Sequence, residues 1–386
     1  MSEEWFNLKK KLNSQKLLKK NVLDTGLCTG CGACVSLCPY QVVYLDRTVQ
    51  LHDCDLTDGK CHAFCPRTEV NLAHLRSCLF DVSDMTPEIG SVKGYYFSRA
   101  CDAQLRDISQ HGGTVTALME LALTEELIDS AIVSSRNQDI LQSGIGVKNK
   151  INLRKNTGSK FTVSPTVAAF NRISAEDTKK IGVVATPCQA LALAKMKLKP
   201  HPEDINNIDK LELVIGLYCG WALSAEKFGE LLIRNKIDLA AITGMDIPAG
   251  KNTLELNTGN EIKSIPFADV RDCIREACSY CFDSTAEFAD ISVGSARFGS
   301  DWEEMRGWNQ LIVRSDRGQR LVDLAVARGI LEIREAPAES LKELKNAAAE
   351  KKKTALKNII KKSGSAKNLL YLDSKDPLIK RYVGKK

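Results

Sequence analysis

The run Cys28-x2-Cys31-x2-Cys34-x3-Cys38-Pro39 constrains this chain more than any other feature. Thiolates in this spacing, closed by Cys-Pro, are those of a two-cluster bacterial ferredoxin. There the first three hold one cubane and the fourth reaches across to the other. A second half follows as Cys54-x6-Cys61-x3-Cys65-Pro66. Pseudo-symmetry then assigns Cys65 to the first cluster with Cys28, Cys31 and Cys34, and Cys38, Cys54 and Cys61 to the second. The repeated Cys-Pro separates this pattern from zinc spacings. The second cluster is one thiolate short, because a complete half would carry another cysteine near Leu51 or Asp58. Asp55, Asp58 and the distant Cys78 are candidates for the fourth ligand, and a three-iron cluster is the remaining option.

Seven more cysteines lie beyond Cys65. Their use depends on compartment. The first twenty residues are charged and lack an apolar core, so no secretory signal is expected. No run of about 18 apolar residues suggests a transmembrane helix. A cytoplasmic chain keeps its thiols reduced, which excludes a disulfide framework and favours metal binding. At 386 residues the chain has room for two or three domains. From Leu341 to Lys386, 14 Lys and Arg face 4 Asp and Glu, so this tail is basic and the rest is mildly acidic. Ala- and Lys-rich, the tail reads as a solvated helix on the body. Without interleaved aromatics it carries no nucleic-acid signal.

Periodicity gives the organisation. Residues 1–24 read as an N-terminal helix, 25–84 as a ferredoxin-like domain, 85–335 as an α/β (α+β) core and 336–386 as the basic helical extension. Pro87, Gly90 and Gly94 read as a linker. After it, Gly113–Leu127 has a helical period and leads into a strand at Ser130–Ser134. Ile181–Ala185 and Leu213–Tyr218 read as buried strands, the first followed by a turn at Thr186-Pro187 and a helix over Ala190–Lys197. Ile291–Val293 and Gln310–Val313 are shorter strands. Strands alternating with helices predict a mixed or parallel sheet covered on both faces.

Cys188 and Cys219 follow successive predicted strands. In an open α/β sheet the carboxyl ends of strands gather at one edge, where sites are built. With Cys278-x2-Cys281 they make a possible four-thiolate site outside the ferredoxin segment. The competing reading takes Cys188 and Cys219 as small buried hydrophobes. A second feature is Ser109-Gln110-His111-Gly112-Gly113-Thr114-Val115-Thr116, a helix start with a glycine pair that suits a phosphate. Gly158-Ser159-Lys160 with Ser164-Pro165 adds a cation and hydroxyls. A side chain at Gly113 is expected to block the phosphate while leaving the fold intact.

Gly112-Gly113-Thr114-Val115-Thr116-Ala117-Leu118, then Ile128-Asp129-Ser130-Ala131, Lys160 with Ser164-Pro165, Thr186-Pro187-Cys188-Gln189, and Cys278 and Cys281 with Ala289-Asp290-Ile291-Ser292-Val293-Gly294 occur in order between about Ser98 and Asn309. Together they resemble the family of beta subunits of coenzyme F420-dependent hydrogenases and dehydrogenases. The resemblance implies FAD bound by Ser109, Gly112, Gly113, Thr114, Thr116, Lys160, Ser164, Pro165 and Asp290. It implies a [4Fe-4S] cluster on Cys188, Cys219, Cys278 and Cys281, and therefore three clusters in all. Lys160 would neutralise a flavin phosphate or the reduced ring; its plain alternative is a solvated lysine.

With its N-terminal ferredoxin module the chain is most similar to the input subunits that feed electrons from reduced F420 into a respiratory complex. That implies a cytoplasmic oxidoreductase, peripheral to the inner face of the membrane and not integral to it. It would take hydride from F420H2 to FAD and pass single electrons through the clusters to a redox partner protein or membrane complex, or run the reverse. Beta subunits of F420-dependent formate dehydrogenase or hydrogenase, a ferredoxin:F420 oxidoreductase, an iron–sulfur flavoenzyme with another substrate and a polyferredoxin-like adaptor are the alternatives.

Overall fold

The computed structural model describes residues 13–135, 142–198, 207–248, 250–298 and 305–383. Most of the first half of the expected N-terminal helix, residues 1–12, lies outside them. The second half forms a helical turn at Ser14–Leu18 that continues as a π-turn, Lys19–Leu23. Asn13 caps it, accepting from Lys16 N–H.

The ferredoxin segment contains the hairpin β1 (Gln41–Tyr44) and β2 (Arg47–Gln50), a short helix Lys60–Ala63 and a longer one, Leu72–Leu79. Where the sequence suggests a linker, the chain forms another small hairpin of β3 (Met85–Thr86) and β4 (Gly90–Ser91). Gly94 then begins β5 (Gly94–Ala100). The reason is Arg314, which is fully buried and donates to the carbonyls of Ile89 and Ser91 at 2.5 and 2.8 Å. A buried guanidinium must find acceptors, and this hairpin supplies them. The expected linker is therefore part of the core.

One eight-stranded mixed sheet organises the rest. Its further strands are β6 (Ser130–Ser134), β7 (Gly144–Val147), β8 (Ile181–Ala185) and β9 (Leu211–Leu217). A separate three-stranded sheet follows, β10 (Gly244–Asp246), β11 (Thr253–Asn257) and β12 (Ile262–Pro266). Then come β13 (Ile291–Ser295), β14 (Asn309–Val313) and β15 (Leu331–Glu335). The order across the large sheet is β15-β5-β14-β13-β9-β8-β6-β7. Its central pairs β13·β9, β9·β8 and β8·β6 are parallel, and the remaining pairs are antiparallel. Strands covered on both faces lack alternation, as Ile-Gly-Val-Val-Ala of β8 does.

The helix after β8 spans Pro187–Leu198, starting earlier than expected, with Pro187 in its first turn where the missing N–H costs nothing. The basic extension forms a 26-residue helix, Ala338–Ser363. Ala348, Lys352, Ala355, Leu356 and Ile359 line one buried stripe of it at helical spacing. Lys352 can enter that stripe because Glu287 is there. Its Nζ donates to Glu287 Oε1 and, at 2.7 Å, to Phe282 O, while Arg76 of the helix Leu72–Leu79 pairs with the other Glu287 oxygen. Three distant segments thus meet at one buried carboxylate.

Candidate cluster and cofactor site

In the ferredoxin segment the thiols fall into two groups. Burial pushes Cys34 well up, and Cys65, Cys28 and Cys31 beside it add to the shift. The second group is Cys61, pushed up to about 11 by burial, with Gln41 bonding to it and Cys38 and Cys54 nearby. Backbone N–H groups point at sulfur, as iron–sulfur ligands require. Thr48 N–H reaches Cys28 Sγ at 3.5 Å and Arg67 N–H reaches Cys65 Sγ at 3.4 Å. Cys78 is exposed, with its Sγ 3.7 Å from His74 Nε2.

The four later cysteines come together at the carboxyl edge of the parallel strands. Cys188 lies in the first turn of its helix beside the end of β8, and Cys219 two residues past the end of β9. Burial pushes Cys219 up; Lys351 opposes this, and Cys278, Cys188 and Cys281 reinforce it. Cys188 is likewise raised by burial and by Cys281. Ala222 N–H reaches Cys278 Sγ at 3.3 Å. Lys351 of the C-terminal helix donates to the carbonyls of Cys219 and Gly220 at 2.8 and 2.7 Å, so the extension closes this site. Among the described residues, no three His, Cys, Asp or Glu are drawn round a single metal ion. A cubane puts its thiolates on separate irons and does not need them that close.

The two thiol groups are neighbours. Cys188 is among the charges that raise Cys31. Arg275, three residues before Cys278, donates to the carbonyls of Thr29 and Cys28 at 2.7 and 2.9 Å and pairs with Asp46 at 3.1 Å. Asn171 donates to Ala33 O and Val35 O. The ferredoxin segment therefore packs into the same hydrophobic core as β8 and its helix.

Next to Cys188, the two polar stretches meet. Thr116 Oγ1 lies 3.3 Å from Thr157 Oγ1, joining the helix Thr114–Thr124 to the loop that carries Lys160. Lys160 Nζ donates to Ser134 O at the end of β6 and to Asn156 O. Gln189, next to Cys188, donates to Ser164 O and accepts from Thr186 N–H. The hydroxyls of Ser134, Thr162, Ser164 and Thr166 are buried without a protein partner. Buried hydroxyls left over in this way mark a place for a polar ligand. Pro165 N-caps the helix Thr166–Ser174 on the same loop. Phe161 stacks on Trp221 at 5.7 Å, which leads back to Cys219.

Other expected positions serve the protein itself. Gly113 caps its helix at φ +76°, where an added Cβ would sit 3.1 Å from Ser109 Oγ. A Cβ at Gly112 would stand 2.9 Å from Ser98 O. The glycine pair thus lets this helix approach β5, and the expectation that Gly113→Val folds normally is corrected: the residue would be strained. Thr114 bonds Ser98 Oγ at 2.9 Å and takes Asn309 Oδ1 for its N–H. Ser109 Oγ donates to Leu105 O. Asp290 is not brought to the site. It precedes β13, accepting from Val214 N–H at 2.9 Å and Ser315 Oγ at 2.7 Å, so its carboxylate fastens β9 to the turn after β14.

Residues 95–171 match the coenzyme F420 hydrogenase/dehydrogenase beta subunit N-terminal region, and 178–339 match that subunit's C-terminal region. Residues 22–44 match a 4Fe-4S binding domain. Coenzyme F420 hydrogenase subunit beta of Methanococcus voltae is 30% identical over 246 residues, covering 63% of this chain and 84% of that one. The chain belongs to the family of coenzyme F420 hydrogenase/dehydrogenase beta subunits. A subunit of the F420H2 dehydrogenase of Methanosarcina mazei is 28% identical over 323 residues, 83% of this chain and 88% of that protein. The fold matches a chain of the F420-reducing [NiFe] hydrogenase complex from Methanosarcina barkeri with a TM-score of 0.65 at 23% identity, over 72% of this chain and 94% of that one. The family is one of oxidoreductases. Its N-terminal region here carries the polar cradle around Lys160, and its C-terminal region carries all four later cysteines. No helix among the described residues is long and apolar enough to cross a membrane.

Arg67, Lys195 and Arg275 hold the two thiol sites together and Lys351 closes the later one, roles that the motifs alone do not assign. The signal for two of them is visible in the chain: Arg67 directly follows Cys65-Pro66, and Arg275 stands three residues before Cys278.

Proposed function

We propose that this protein exchanges electrons between coenzyme F420 and a redox partner protein or complex, taking hydride from F420H2 in one direction and returning it in the other. One observation carries the reading: a four-thiol site, a polar cradle and the ferredoxin thiols adjoin one another, with Gln189 joining Cys188 to Ser164 O and Val167 N–H reaching Cys31 O. Bound FAD would supply the conversion between a hydride and single electrons, and [4Fe-4S] clusters the one-electron path. Thr116, Lys160, Ser164 and Pro165 form the cradle, with the unpartnered hydroxyls of Ser134, Thr162 and Thr166 as ligand-binding groups. The Lys160 ammonium, held at the end of β6, supplies positive charge where a flavin would carry its negative charge. Cys188, Cys219, Cys278 and Cys281 hold the cluster nearest the cradle. Cys28, Cys31, Cys34 and Cys65 hold the next, and Cys38, Cys54 and Cys61 the outermost.

For the fourth ligand of that outermost cluster we favour Asp58. It stands three residues before Cys61, the spacing that separates Cys31 from Cys34. The outermost site, with Cys38 exposed, faces the partner.

Cofactor analysis of anaerobically purified protein, followed by titration with F420H2, tests the reading. FAD near one per chain, bleached by F420H2, is expected. Iron and sulfide without flavin would make the protein an electron-carrying adaptor, and flavin that F420H2 fails to bleach would assign another substrate.

A further inference from the structure

Arg67 touches ligands of two thiol sites. Its backbone N–H reaches Cys65 Sγ in the ferredoxin segment at 3.4 Å. Its side chain runs the other way, into the later site. The guanidinium comes within hydrogen-bond range of Cys281 and beside Cys188. Nη2 donates at 3.2 Å to the carbonyl of Ala277, the neighbour of Cys278. The Tyr371 ring, 4.5 Å from the guanidinium carbon, covers its face. Arg67, Cys188, Cys281 and Tyr371 border one small cavity. The side chain is 4% exposed, and its Nε–H is buried with no protein acceptor.

A buried cation without a carboxylate partner is costly unless something anionic stands beside it. Tyr371 is a neutral ring whose hydroxyl donates to Tyr280 O. The anionic partners left are the thiolates and the cluster they would hold, and Nε–H is the donor left over for a cluster sulfur. Positive charge and N–H bonds at the sulfurs favour the reduced state of a cluster, so they raise its potential. The same charge is weaker at Cys65, which is approached mainly by the backbone of Arg67.

We propose that Arg67 is a positioning residue that raises the reduction potential of the cluster on Cys188, Cys219, Cys278 and Cys281 above what those thiolates alone would set, making it the acceptor beside the cradle. This rests on the reading that these four cysteines hold a cluster. That reading is checked first: a spectroscopic signal of the holoprotein must be lost in Cys278→Ser. If no signal is lost there, the cluster reading fails and Arg67 is not reached.

With the signal identified, EPR-monitored redox titration of Arg67→Met decides. The substitution keeps an alkyl stem against Tyr371 and removes the charge. The expected result is unchanged iron content, a shift of the Cys278-dependent signal to lower potential, and a smaller shift in the other clusters. Arg67→Lys should recover part of the shift. An unmoved potential in Arg67→Met, or a shift confined to the ferredoxin signals, overturns the proposal. Should Arg67→Met fail to fold, wild-type protein made with 15N-guanidino arginine answers the question. A hyperfine coupling to the Cys278-dependent signal that Arg67→Lys loses or weakens supports the proposal, and its absence, or a coupling unchanged in Arg67→Lys, overturns it.

Discussion

Lys195 donates from Nζ to the carbonyl oxygen of Cys65 at 2.7 Å. It stands two helical turns after Cys188 on the same helix, so one rigid element addresses both the later thiol site and the ferredoxin segment. The same Nζ reaches Thr68 O and Thr68 Oγ1, and the side chain is buried. Lys195→Met removes a charged donor from buried acceptors, a loss of about 1–3 kcal/mol. The ferredoxin segment should loosen while the sheet holds. Hydrogen exchange should show faster opening of residues near Cys65 and Thr68, with β8 and β9 unchanged; uniform protection would contradict this.

The two thiol sites should be separable chemically. Cys281→Ser is expected to lower iron by about four atoms per chain and leave flavin bound and reducible, while electron transfer to a dye falls. Cys28→Ser should also lower iron but leave hydride transfer intact. Loss of flavin reduction in Cys28→Ser would show that the ferredoxin segment is needed for the chemistry.

Asp58→Cys tests the incomplete half-motif. Completing it should yield a cluster that keeps its iron under mild oxidation by ferricyanide, whereas the parent protein should show a three-iron EPR signal. The absence of any such signal in the parent would argue that its fourth ligand is already firm.

Glu287 accepts from Arg76 and Lys352, both buried. Glu287→Gln leaves two buried cations facing a neutral amide, and breaking a buried ion pair in this way costs about 3–5 kcal/mol. Thermal unfolding should show a drop in Tm that Lys352→Met in the same chain partly restores. An unchanged Tm would mean that the triad contributes nothing net.

Gly113→Val should reduce the yield of folded protein, since φ +76° and Ser109 Oγ oppose a side chain. Lys160→Gln changes the cradle without that strain. FAD content should fall in folded Lys160→Gln. Stoichiometric FAD there would move the flavin away from this loop.

The chain by itself determined the spacing of its thiols. Spacing on a short loop is a local property, so the grouping of the thiols from Cys28 to Cys65 is legible in the chain, and so is the alternation of strand and helix around β6, β8, β9, β13 and β14. The folded structure decided what lies beside what. Cys219 and Cys278 are 59 positions apart in the sequence, and no local pattern says that Ala222 N–H will meet Cys278 Sγ. Locally, a helix start with two glycines suits a phosphate. The sheet uses the glycine pair for its own close approach, since backbone contacts with Ser98 compete for the same missing side chains. Asp290 was likewise taken up by the turn after β14. Burial supplied the rest. Once the thiols are withdrawn from water, the positions of Arg67, Lys195, Arg275 and Lys351 are dictated by which carbonyls and sulfurs remain to be satisfied, and only tertiary packing fixes those.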